Sequence, residues 1–215
     1  DHQLGNAAIK SGSEFMNARC ILVSLVGVGI VIIAAGANAQ APQPQPNPRV
    51  LIETSEGDIT VELLRSDARV SVSNFLAYVR DGYYNGTVFH RVIRNFMIQG
   101  GGLDEDLAPK VEGLRGGVLN EATNGLKNLR GTVAVARTSK PNSGSAQFFI
   151  NTTNNSALDH KNTTDAGYGY AVFGQVIDGM DVVDEIERKP TYSTVTGMSD
   201  VPRRTITINQ IRRLE

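Results

Sequence analysis

Phe89-His90-Arg91-Val92-Ile93-Arg94-Asn95-Phe96-Met97-Ile98-Gln99-Gly100-Gly101 carries the first decision about this chain. Two runs rich in β-branched and aromatic residues, Val88 to Ile93 and Phe96 to Gln99, flank a short polar connection and end on glycines, the pattern of two adjacent strands. Side chains alternate along a strand, so Phe89, Arg91 and Ile93 are expected on one face and His90 on the other. An arginine between two apolar side chains needs a polar partner if it is buried. A salt bridge and a side chain that extends to solvent over its apolar stem are the two ordinary outcomes. His90, turned away from that face, reads as a structural imidazole with its ring nitrogens hydrogen-bonded.

Outward from this segment the same β signals recur. Val50-Leu51-Ile52 leads to a turn at Ser55-Glu56-Gly57-Asp58, after which Ile59, Val61 and Leu63 alternate with polar residues, predicting a hairpin with one buried face. Val72, Phe75, Leu76 and Val79 fall at helical spacing and Asp81-Gly82 closes the pattern, which predicts a helix over Val70 to Arg80. Further strands are expected at Thr132 to Ala136, Gln147 to Asn151, Ala171 to Val176 and Thr205 to Ile208, with a second short helix around Met180, Val183 and Ile186. Many short strands with two helices make the chain mainly β and point to a closed or nearly closed antiparallel barrel. The Gly-rich, polar loops Leu103 to Asn128 and Ser139 to Ala146 are the expected place for binding.

Composition narrows the function classes. Lys and Arg number 21 against 22 acidic residues, a net charge of -1, so the footprint of a nucleic-acid partner is missing. Cys20 is the only cysteine, which rules out a disulfide or a thiolate zinc site within one chain. His2 lies near the start of the chain, leaving His90 and His160 for chemistry. The Asp159-His160 pair has too few companions to hold an ion, so no metal or other cofactor is expected and a metal-dependent hydrolase is disfavoured. The Asp104-Glu105-Asp106 run reads as a solvated loop. The sequons at Asn85 and Asn162 are accounted for by polar loop composition.

Ahead of the barrel, Asp1 to Phe15 ends in Ser-Gly-Ser-Glu-Phe and looks like an expression-vector linker. Met16 to Ala39 has a basic start, an apolar run from Cys20 to Ala35 and an Ala37-Asn38-Ala39 exit, the three parts of a secretory signal peptide. The run is short for a membrane span and is interrupted by Ser24, Gly27 and Gly29. An uncleaved membrane anchor is the alternative. Gln40 to Pro48 alternates proline with Gln or Asn, as an extended linker does, leaving Arg49 to Glu215 as the globular domain. A periplasmic or secreted protein is the expectation.

Four blocks in order give the chain a family likeness: Phe89 to Gly101, Gly131 to Arg137, Ser145 to Ile150, and Leu158-Asp159-His160 followed by Tyr170 to Gly174. From Val50 to Glu215 the sequence resembles the cyclophilins, in particular the bacterial periplasmic form. The resemblance implies an eight-stranded antiparallel β-barrel capped by two α-helices, and peptidyl-prolyl cis/trans isomerase activity in a groove that takes Xaa-Pro peptides, assisting the folding of exported proteins. It implies that Arg91 is catalytic and that Phe96, Met97, Phe149 and Leu158 form the proline pocket. Gln99 and Gln147 are implied to hydrogen-bond the peptide, and Ala136, Arg137 and Thr138 to line the neighbouring groove. Tyr170 stands where many members carry histidine. Proline-containing and unfolded exported polypeptides are the expected partners of a monomer. Three departures stand out: Arg94 replaces a proline, Arg137 an asparagine, and Ala157 a tryptophan or phenylalanine, so cyclosporin binding is expected to be weak. A proline-peptide binder that turns over poorly is the rival reading that Ala157 and Arg94 keep open.

Overall fold

A computed structural model describes residues 46–215; the vector-linker and signal-peptide expectations and most of the proline-rich stretch lie outside those residues. The elements are β1 (Arg49–Thr54), β2 (Gly57–Leu63), α1 (Arg69–Arg80), β3 (Thr87–Ile93), β4 (Met97–Gly100), β5 (Thr132–Val135), β6 (Phe148–Asn151), β7 (Val172–Asp178), α2 (Met180–Glu187), β8 (Thr191–Tyr192), β9 (Val201–Pro202) and β10 (Thr207–Leu214). Eight of the strands close an antiparallel barrel in the order β1-β10-β3-β4-β6-β5-β7-β2, as expected, and β8 and β9 form a separate two-stranded ribbon that the sequence did not suggest. The barrel's hydrogen bonding reaches back into the proline-rich stretch. Leu63 N donates to Pro48 O (2.8 Å), Arg65 N donates to Asn47 Oδ1 (3.2 Å), and Pro48 is buried.

The barrel is filled by the inward half of each alternating strand, including Ile52, Ile59, Val61, Ile98, Val133, Ile150 and Ile208. Phe75 of α1 joins this interior by packing on Tyr84, Phe148 and Phe173 with ring centroids 5.1, 5.5 and 5.2 Å away. Rings at such separations and inclinations add to the apolar burial that holds the helix on the barrel. The end of α1 follows from its sequence: Gly82 takes φ +65, and the bonds Gly82 N to Val79 O and Tyr83 N to Tyr78 O close the helix as a glycine-terminated cap. Its start is satisfied from afar, because Glu121 accepts from the backbone N–H of Val70 and Ser71 and from the Ser71 hydroxyl.

β10 departs from the expected Thr205 to Ile208, starting later and running to Leu214. Ile211 faces Ile52 and Ile208 faces Thr54, so a bulge at Asn209 puts the two inward isoleucines three positions apart. That break in the period-two pattern hides the second half of the strand from an alternation argument.

Candidate active site

The outer face of the wall formed by β3, β4, β6 and β5 carries a second apolar cluster. Met97, Ala134, Ala136, Phe149 and Val172 are buried there, with Ile93, Phe96, Leu126, Leu158 and Tyr170 packed against them. Register explains its layout. Arg91 lies opposite Gln99, Gln99 opposite Phe149, and Phe149 opposite Ala134, so four cross-strand neighbours form a row across the wall. Neighbours in such a row stand close enough to touch, which places a cation, an amide and an aromatic ring side by side.

Arg91 reaches this face through a bulge. Phe89 pairs with Gly100 and Arg91 with Gln99, leaving His90 as the extra residue. The expected face shared by Phe89, Arg91 and Ile93 is therefore corrected: Phe89 is in the barrel interior against Phe148 (centroids 6.0 Å), while Ile93 belongs to the outer cluster. The physical reason is the extra residue, which shifts alternation between Phe89 and Arg91. His90 is 7% exposed and its Nδ1 is unpartnered among the described residues, so the expectation that its ring nitrogens are hydrogen-bonded is corrected for Nδ1. Burial, helped by the charge of Arg91, lowers its pKa from 6.5 to about 4, so the ring is neutral at pH 7.

A groove of about 160 Å³ lies on this wall, lined by Arg91, Phe96, Met97, Gln99, Ala136, Arg137, Phe149, Leu158 and Tyr170. Two residues named by the resemblance lie just outside its lining: Gln147, which bonds to Gln99, and the exposed Thr138. The loops Leu103 to Asn128 and Ser139 to Ala146 contribute no lining residue, contrary to expectation; strands supply Arg91, Met97, Gln99 and Phe149, and the connections next to them supply Phe96, Ala136, Arg137, Leu158 and Tyr170.

The polar side of the groove is a chain of oriented donors. Gln99 Nε2 donates to Gln147 Oε1 (2.9 Å), which leaves Gln99 Oε1 to accept from Arg91 Nη1 at 3.5 Å. On the other flank, Arg91 Nε lies 3.9 Å from Asp200 Oδ2. Both charges are about two-fifths exposed, so this pair directs the guanidinium more than it stabilises the fold. Asp200 sits at φ +62, a left-handed conformation that Asp adopts more readily than most residues, and its carbonyl accepts from Val92 N at 2.8 Å. Nothing in the period of the sequence leads to Asp200.

The far wall is fixed by Arg137. Its guanidinium donates to the carbonyls of Gly169 (2.9 Å), Thr138 (3.0 Å), Ser139 (3.2 Å) and Asp165 (3.0 Å), and stacks 4.7 Å from the Tyr170 ring centre. Tyr170 in turn meets Phe149 edge-on at 5.6 Å. Arg137 therefore works here through its side chain, holding two loops and one aromatic wall together.

Leu158 comes from a loop anchored by a buried amide network. Asn155 Nδ2 donates to Asn151 Oδ1 (2.7 Å), Asn151 Nδ2 to Thr132 Oγ1 (2.8 Å), and Asn128 N to Asp159 Oδ1 (2.8 Å). This network was legible only as polar loop composition. His160 Nδ1 faces Tyr168 O at 2.8 Å, so the nitrogen nearest that carbonyl is its donor. Among the described residues no three His, Cys, Asp or Glu side chains converge as a metal site would require.

The Arg94-Asn95 turn holds without the proline. Asn95 takes φ +55, Phe96 N bonds Ile93 O at 3.2 Å, and Asn95 N donates to Glu187 Oε1 of α2 at 2.6 Å.

Comparison with known proteins bears on what this wall is for. Residues 49–213 match the family described as cyclophilin type peptidyl-prolyl cis-trans isomerase/CLD. The peptidyl-prolyl cis-trans isomerase cyp18 of Streptomyces antibioticus is 49% identical over 165 residues, 77% of this chain and 98% of that protein. Peptidyl-prolyl cis-trans isomerase B of Escherichia coli is 46% identical over 163 residues, 75% of this chain and 97% of its own length. A cyclophilin type isomerase of Cryptosporidium parvum superposes with a TM-score of 0.64 at 31% identity, covering 79% of this chain and 98% of that one. The same protein has been solved in the presence of the dipeptide Ala-Pro, with a TM-score of 0.63, 31% identity, and coverage of 78% and 99%. A match that runs the length of the barrel, with bacterial relatives nearly half identical across it, makes this chain a member of the cyclophilin-type peptidyl-prolyl cis/trans isomerases.

Proposed function

We propose that the groove on the β3-β4-β6-β5 wall is where isomerisation occurs, with Arg91 as the catalytic residue. The observation that carries this reading is the placement of the Arg91 guanidinium beside an apolar floor, aimed by Gln99 on one side and Asp200 on the other. An Xaa-Pro bond must cross roughly 18–20 kcal/mol because the amide C–N bond has partial double-bond character. No covalent bond is made or broken. At the twisted transition state the prolyl nitrogen loses conjugation and regains a lone pair, so a donor directed at it binds the transition state better than the planar ground state. Arg91 supplies that donor, and a charge-assisted hydrogen bond of about 1.5–3 kcal/mol corresponds to one to two powers of ten in rate.

The apolar floor contributes the rest by holding the ring. Met97, Phe149 and Leu158 seat the pyrrolidine, with Phe96 at the turn end, while Gln99, Gln147 and the backbone at Ala136 to Thr138 hold the flanking peptide. The twisted amide is less polar than the planar one and tolerates this desolvation better. Ala157, exposed beside Leu158, leaves that rim without an aromatic wall, which is the reason for weak cyclosporin binding in this account. A protease-coupled assay on an Ala-Pro peptide tests the assignment: Arg91→Ala keeps its fold and loses most of its activity. Full activity in that variant would remove Arg91 from the mechanism.

The finer role we infer is assistance to exported proteins. It is supported by the basic start, apolar run and Ala37-Asn38-Ala39 exit of Met16 to Ala39. Fused ahead of a phosphatase that is active only after export, this segment gives activity and a shortened product; an inactive fusion overturns the export reading and leaves the isomerase assignment intact.

A further inference from the structure

A second groove, of about 490 Å³, lies between α1 and β10 and shares no residue with the groove at Arg91. Its polar lining includes four arginines, Arg65, Arg80, Arg212 and Arg213, and its apolar lining includes the half-buried Leu76 and Ala77 beside Ile211, which is itself buried in the barrel core; no carboxylate lines it. Two of the arginines are engaged, Arg80 with Asp81 (3.0 Å) and Arg212 with Glu53 (2.7 Å). Arg65 and Arg213 have no ion-pair partner among the described residues. With Asp81 and Glu53 offsetting two of the four, Arg65 and Arg213 leave the concavity with a local positive field that an anionic ligand would neutralise.

The candidate occupants differ in charge and shape. The chain's own Gln40 to Pro48 stretch leaves the barrel at Asn47, which is bonded to Arg65 N, yet it carries no charge and does not match the arginines. A bilayer meets protruding apolar side chains, and none of the exposed large hydrophobic residues lines this groove. A concave channel with apolar floor and basic rim fits an extended polypeptide whose carboxylates reach the rim while its apolar side chains cover the floor. We propose that the groove between α1 and β10 docks an acidic, partly apolar polypeptide segment of a client or partner protein. Docking there leaves the proline groove free.

The test uses the full chain and a fluorescein-labelled, proline-free peptide of alternating Glu and Leu, followed by anisotropy at low and at physiological ionic strength. The peptide binds saturably, binding weakens as salt is added, and Arg65→Glu/Arg213→Glu weakens it by about tenfold or more. An excess of an unlabelled Ala-Pro peptide leaves the labelled one bound. Isomerase activity of the variant on a short Ala-Pro peptide stays at the wild-type level, which reports a folded barrel and separates this inference from the assignment of Arg91. If the charge-reversed pair fails to fold, Arg65→Gln/Arg213→Gln takes its place with a smaller loss in the same direction. No binding at low salt, equal binding by the folded variant, displacement by the Ala-Pro peptide, or arginine-dependent capture of anionic phospholipid vesicles without peptide binding each overturns the proposal.

Discussion

Gly102→Ala perturbs Arg91, the residue we propose as catalytic, without touching it. A Cβ on Gly102 stands 2.5 Å from Cδ of Gln147 and closer still to its Cγ and Nε2, whereas ordinary contact begins near 3.4 Å. The backbone at Gly102 is not in the left-handed region, so the cost falls on Gln147, whose flexible side chain swings away. That motion breaks the 2.9 Å bond from Gln99 Nε2 to Gln147 Oε1, the bond that leaves Gln99 Oε1 facing Arg91. Losing one such side-chain hydrogen bond is worth about 0.5–1.5 kcal/mol, or roughly a two- to tenfold drop in kcat/KM. The protease-coupled assay measures the drop, and a thermal melt shows that little stability is lost with it. Gln147→Ala provides the control, because it removes the clash: added to that background, Gly102→Ala does nothing further. Wild-type activity in Gly102→Ala, or an effect that persists undiminished in the Gln147→Ala background, refutes the idea that the two glutamines aim Arg91.

Two further outcomes follow from the wall and its bulge. His90 titrates at about 4 when folded against 6.5 as a free side chain, so its contribution is complete above pH 6.5 and is lost as pH falls towards 4. The full loss is about 3 kcal/mol; urea midpoints measured through this window drop in the wild type and drop less in His90→Gln, and parallel curves would contradict the burial argument. Arg137→Asn removes the guanidinium bonded to four carbonyls and stacked on Tyr170, with an expected stability loss of about 1–2 kcal/mol and a rise in KM larger than any fall in kcat. An unchanged denaturation midpoint with unchanged KM would show that Arg137 is dispensable to the wall.

Where side chains follow the period of their element, the sequence was a sufficient guide. The hairpin of β1 and β2, the glycine stop of α1 and the closed barrel all came from alternation, helical spacing and turn residues. Nine of the residues named through the family likeness line one groove, because antiparallel register brings Arg91, Gln99 and Phe149 into a row. What was missed depends on breaks in the period or on contacts distant in sequence. An extra residue at His90 moved Phe89 inward, and another at Asn209 concealed half of β10. Asp200 reaches Arg91 from a loop more than a hundred residues away, and the Asn128–Asn151–Asn155 network joins three segments whose composition alone reads as loop. The two long loops expected to bind line no part of the groove, whereas the connections that flank the strands supply Phe96, Ala136, Arg137, Leu158 and Tyr170.

Whether Arg91 acts on the transition state rather than on substrate binding is decided by exchange spectroscopy of an Ala-Pro peptide bound to the wild type and to Arg91→Ala at matched occupancy. The account predicts peptide affinity that changes little while the on-enzyme cis/trans exchange rate falls by about one to two powers of ten. An unchanged exchange rate at equal occupancy, or a loss of activity explained wholly by weaker binding, would contradict it.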